Sequence, residues 1–105
     1  MTMTDMMTID EIVRRLIKHN PLSIYLFGSH AYGVPHKDSD IDLMVVSSEQ
    51  PKAYYQKLMG DLWDIDSPIE MLVFSADSLK EKLTWNPMIN KIVNEGKVLY
   101  GQSFR

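Results

Sequence analysis

Ile9, Ile12, Val13, Leu16 and Ile17 recur at three- and four-residue spacing, which is one face of an α-helix, and the run stops at Asn20-Pro21. Thr8 followed by Glu11 has the spacing of a capping box, so the pattern predicts a helix from about Thr8. Residues 1–7, with Met1, Met3, Met6 and Met7, read as a frayed terminus. Leu22, Ile24, Tyr25, Leu26 and Phe27 form a short apolar run, predicted to be a buried strand ending at Gly28. A short helix is expected from Ser29, then a loop through Val34, Pro35, His36 and Lys37, then a second strand from about Asp40 to Val46. Ser48 and Pro51 suit the start of a third helix. Its buried face is expected to hold Tyr54, Tyr55, Leu58 and Leu62, with Trp63 packing beside them. A third strand should begin after Pro68, with helices from about Ser75 and from Asn86-Pro87, the latter stopped by Gly96. A last short strand covers Lys97 to Tyr100.

These elements restrict the topology. The connection from Ser47 to Ser67 contains a helix and exceeds the ~10–12 residues a crossover needs, so the second and third strands can lie parallel in a right-handed unit. Their N-terminal ends then share one edge. If the first strand runs antiparallel to the second, Gly28-Ser29 reaches that same edge. The expected class is α+β, an α/β two-layer arrangement in which helices pack on a small mixed β-sheet, as one domain over residues 1–105.

Polar residues gather at the shared edge. A strand that ends in Gly-Ser can turn into a helix whose first N–H groups are free to meet an anion, although such a turn alone is usually only a turn. Ser29 adds a hydroxyl, and Gly33 tolerates positive φ. Because strand side chains alternate, Asp40 and Asp42 take one face while Ile41, Leu43 and Val45 take the other. Two like charges side by side are stable if both are well solvated or share hard cations, and such a pair can hold two metals ~3.5–4 Å apart, the spacing used for in-line phosphoryl displacement. The plainer alternative is a polar turn, Asp38-Ser39-Asp40, with Asp42 merely exposed. Glu70, at the start of the third strand, is the leading third carboxylate, as metal ligand or general base, with Asp64 and Asp66 as alternatives if that strand begins earlier.

Gly28-Ser29 followed by Ser39-Asp40-Ile41-Asp42-Leu43 resembles the DNA polymerase β-like nucleotidyltransferases, and among them the small stand-alone minimal nucleotidyltransferases (MNT). Ile69 to Phe74, Asn86-Pro87 and Ile92 to Gly101 look like the family's third core strand and C-terminal end, so the resemblance runs from about Ile9 to Gly101. It implies the polymerase β-like nucleotidyltransferase fold and transfer of a nucleoside monophosphate, AMP from ATP, to a hydroxyl with release of pyrophosphate. Asp40, Asp42 and Glu70 would hold Mg²⁺ or Mn²⁺. Gly28 and Ser29 would hold the β/γ-phosphates, and Lys37 and Ser39 would complete the nucleotide site. Several relatives place an Arg two residues before the second Gly, whereas this chain has Ala31-Tyr32-Gly33; Lys37, His30 or His36 could compensate by charge. Tyr32 is read as a core or rim aromatic that could stack on a base or sugar, and Trp85 as a surface or interface aromatic. Minimal nucleotidyltransferases commonly serve as antitoxins to a helical HEPN-family RNase toxin, and some modify a tyrosine of that toxin with AMP. The implied partner is therefore a HEPN-type toxin, and the rival function is a binder that neutralises it by contact alone.

Composition narrows the remaining classes. The chain has 105 residues with 24% charged and 45% hydrophobic, room for one domain and no separate acceptor-binding domain. It has no cysteine, which removes disulfides and thiolate zinc sites and fits a cytoplasmic location. His19, His30 and His36 have no metal-site spacing. No leader pattern and no apolar run near ~20 residues is present, so neither a secreted nor a membrane form is expected. A net charge of -3 without a Lys/Arg track makes long duplex nucleic acid a poor partner.

Overall fold

The computed structural model describes residues 3–35 and 39–105. The elements run α1 (Met3–Ile17), β1 (Ser23–Phe27), α2 (Ser29–Tyr32), β2 (Ile41–Ser47), α3 (Pro51–Gly60), β3 (Ile69–Ser75), α4 (Ala76–Lys82), α5 (Pro87–Glu95) and β4 (Lys97–Gly101). The strands form one sheet in the order β3-β2-β1-β4. β2 and β3 pair in parallel through the α3 crossover, and β1 runs antiparallel to both β2 and β4. Local chemistry sets the later helix starts: Pro51 and Pro87 occupy first-turn positions, while the side chains of Ser75 and Asn86 accept from the N–H groups of Ser78 and of Met88 and Ile89.

Three expectations change. Helix α1 starts at Met3, not Thr8. No breaker separates Met3 from Thr8, and extending an existing helix costs far less than nucleating one. Residues 3–7 are therefore helical, and Glu11 pairs with Arg14 and Arg15 rather than closing a cap. On the third helix, Tyr54 and Leu58 face the core, but Tyr55, one residue round the helix, is exposed, as is Trp63 in the turn beyond its end.

The third change is in layering. Ile24, Leu26, Ile41, Leu43 and Val45 pack under α1 and α3 through Ile12, Leu16, Tyr54 and Leu58. On the opposite face Tyr25, Phe27, Met44 and Val46 pack against Leu79 of α4 and Ile89, Ile92 and Val93 of α5. Helices cover both faces, so the α+β fold with its mixed sheet has three layers, not two. Full burial of each such side chain stabilises the fold by about 1.5–3 kcal/mol. No helix among the described residues is long and apolar enough to cross a membrane.

Candidate active site

The last rung of the β1–β2 ladder pairs Phe27 with Asp42, and the β2–β3 ladder pairs Asp42 with Glu70. Paired residues on neighbouring strands share a face, so both carboxylates lie on the face covered by α4 and α5. Asp40 precedes the first residue of β2 and lies on the same side. Carboxylate oxygens of Asp40, Asp42 and Glu70 all come within 4.8 Å of one another. Asp64 and Asp66 are not part of this cluster. Asp64 is bound by Arg15 (Nη1–Oδ1 2.5 Å), and Asp66 lines a groove beside Thr8 and Glu11.

Gly28 adopts φ 71°, ψ -153°, a backbone conformation that L side chains rarely take. The reason lies in its neighbour as well as in the turn. A Cβ at Gly28 would overlap Asp42 Oδ2 and sit 3.0 Å from Asp42 Cγ. The missing side chain therefore makes room for Asp42, a constraint the sequence reading did not foresee. The Gly28 carbonyl accepts from the N–H groups of Ala31 (3.0 Å) and Tyr32 (3.1 Å), which winds α2 tightly after the strand. Ser29 opens that helix, half-buried; its N–H and that of His30 come ahead of these two bonds and have no intrahelical acceptor. Ser39 is half-buried just ahead of Asp40, and Lys37 and His36 fall outside the described residues.

The electrostatics are those of a crowded anionic site. Burial pushes the Asp42 carboxyl up to about 6; a hydrogen bond with Glu70 and the charges of Glu70 and Asp40 push the same way, and nearby His30 opposes them. One Asp42 oxygen, Oδ1, is buried without a hydrogen-bond partner. His30, offered by the sequence as a compensating cation, is 5% exposed, and neither ring nitrogen has a partner. Buried, unsatisfied oxygen and nitrogen atoms cost stability unless a ligand or water meets them. Three converging oxygen donors suit a hard divalent cation, so the residues present fit the metal that the resemblance implies.

Tyr32 lies at the rim, 37% exposed. The ammonium of Lys91, on α5, stands 4.6 Å from its ring centroid. Trp85 is exposed, and its indole N–H donates to Glu81.

The chain belongs to the polymerase β nucleotidyltransferase family: the family model described as "Polymerase beta, Nucleotidyltransferase" matches residues 9–105. It is 33% identical over 98 residues to the Methanocaldococcus jannaschii protein named "Putative protein adenylyltransferase MJ1379", covering 86% of this chain and 95% of that protein. Among solved structures it is similar to a chain of a toxin–antitoxin complex with AMP-PNP, with a TM-score of 0.62 and 26% identity over 89% of this chain and 73% of that one. It also resembles in fold a chain of the tri-AMPylated Shewanella oneidensis HEPN toxin in complex with MNT antitoxin, with a TM-score of 0.59 and 23% identity over 92% and 72% of the two chains.

Proposed function

We propose that the protein is an adenylyltransferase that moves AMP from ATP to a hydroxyl of a helical partner protein, and so acts as the antitoxin to a HEPN-type toxin. The observation that carries this reading is the convergence of Asp40, Asp42 and Glu70 beside the Gly28 turn. The adenylyltransferase name of the archaeal relative and the AMP-PNP complex among the structural relatives support the choice of reaction and nucleotide.

Asp40, Asp42 and Glu70 would hold Mg²⁺, which supplies Lewis-acid polarisation and charge neutralisation at the phosphates. The Gly28-Ser29 turn would hold the β- and γ-phosphates with backbone N–H groups and the Ser29 hydroxyl, with Ser39 beside Asp40 flanking the nucleotide. The acceptor oxygen forms a bond to the α-phosphorus, and the bond from that phosphorus to the bridging oxygen breaks. Pyrophosphate leaves with the electron pair. Glu70, exposed at the end of the cluster, takes the hydroxyl proton and passes it to water. Most of the rate comes from positioning and preorganised charge. The acceptor surface comes from the partner.

Intact-mass measurement of the partner after co-expression tests the reading, since each transferred AMP adds a discrete mass. A gain that disappears with Asp42→Asn is the expected result. One feature favours a second reading, neutralisation by contact alone: Ala31-Tyr32-Gly33 lacks the Arg that several members of the family it resembles place two residues before this Gly. That reading takes over if the complex suppresses the partner's RNase activity without mass gain and equally well with Asp42→Asn.

A further inference from the structure

The proposed site has a charge problem. Three carboxylates lie within 4.8 Å of one another, and a nucleoside triphosphate would bring further negative charge to them. Cations bound by the carboxylates offset part of it, but the outer phosphates extend away from those ligands and need positive charge of their own. No arginine is present in α2.

Several cations of the described residues are engaged or face elsewhere. Arg14 and Arg15 are held by Glu11, and Arg15 also by Asp64. Lys57 pairs with Glu49. Lys82 stands over Phe74, near the opposite end of β3 from Glu70. Lys97 opposes Leu26, whose side chain belongs to the core under α1, so it lies on the face away from Asp42. Lys91 differs from all of these. It projects from α5, the helix that covers the Asp42 face, and no carboxylate among the described residues pairs with it. Its contact is the ring of Tyr32. The Tyr32 N–H binds the Gly28 carbonyl at 3.1 Å, so Tyr32 lies one helical turn from the Gly28-Ser29 turn.

Resting on the reading above, we propose that Lys91 is a nucleotide-binding residue: its ammonium takes the outer phosphates of a nucleoside triphosphate held at Gly28-Ser29, and Tyr32 parks it there when the site is empty. A cation–π contact at an exposed ring is strong enough to bias the side chain and weak enough to yield to a charge-assisted phosphate bond.

Calorimetric titration of the full chain with Mg²⁺-ATP and, separately, with AMP tests this. Lys91→Gln should weaken ATP binding about tenfold and AMP binding less than twofold, because AMP lacks the outer phosphates. Lys91→Arg should stay within about threefold of wild type for both. Lys91 is exposed, so each variant should keep the wild-type circular dichroism spectrum and melting midpoint, and Lys91→Met serves as a second charge-removing variant. Wild-type ATP affinity in Lys91→Gln, or equal losses for ATP and AMP, would overturn the assignment while leaving the site itself intact. A wild-type chain that binds neither nucleotide overturns the reading of the site and this inference with it.

Discussion

Asp42→Asn should make the metal-free protein more stable at neutral pH while removing its function. The wild-type carboxyl is raised from an ordinary value near 4 to about 6, chiefly because burial penalises its charge. For a fully enclosed group that rise corresponds to about 3 kcal/mol; Asp42 is only half-buried, and solvent screening reduces the effect to about 1–1.5 kcal/mol. The sign follows from proton counting. Between about pH 4 and pH 6 the folded chain binds more protons at this group than the unfolded chain, so stability falls as pH rises through that window, and the deficit is complete above it. Asparagine has no such deficit. Urea unfolding in chelator should therefore show Asp42→Asn more stable than wild type by about 1–1.5 kcal/mol at pH 7, with the gain shrinking toward zero near pH 4. Saturating Mg²⁺ should reverse the order, because only the wild type keeps the full ligand set and gains stability by mass action. A variant less stable than wild type at pH 7 in chelator, or a gain equal at pH 4 and pH 7, would refute the view that Asp42 is held at an energetic cost.

Gly28→Ala should lose nucleotide binding and also destabilise the fold by about 2 kcal/mol or more, since the new methyl both overlaps Asp42 and occupies a disfavoured φ; combining it with Asp42→Ala should recover part of that stability in urea titrations. Glu70→Gln should lower the transfer rate far more than ATP affinity, measured by radiolabel transfer and calorimetry, whereas Asp64→Asn, remote from the cluster, should change neither.

Much of this site was legible because its chemistry is local in sequence. The strand–Gly-Ser–helix unit and the Asp40/Asp42 alternation follow from backbone geometry alone, and the crossover length brought Glu70 to the same edge. What escaped depends on packing between distant segments. The start of α1 was misplaced because the Thr8–Glu11 spacing also occurs inside helices. The second helical layer left a readable trace: β2 carries Met44 and Val46 on the Asp42 face as well as Leu43 and Val45 on the other, and a strand apolar on both sides is one covered on both sides. Lys91 left none. It reaches Tyr32 only because α5 folds back across β1, and no spacing in the chain records that.

The seven-rung parallel ladder from Ile41–Ile69 to Ser47–Ser75 works as a phase lock between two distant stretches of chain. Sliding β3 by one residue would exchange Glu70 for Ile69 or Met71 beside Asp42 and turn every side chain of the strand to its other face. Met71 would leave the α1/α3 core, so the slip carries its own penalty. Heredity can therefore vary the acid at this position by substitution without disturbing the alignment. A single-residue insertion within the ladder itself would strike the core and the carboxylate cluster together.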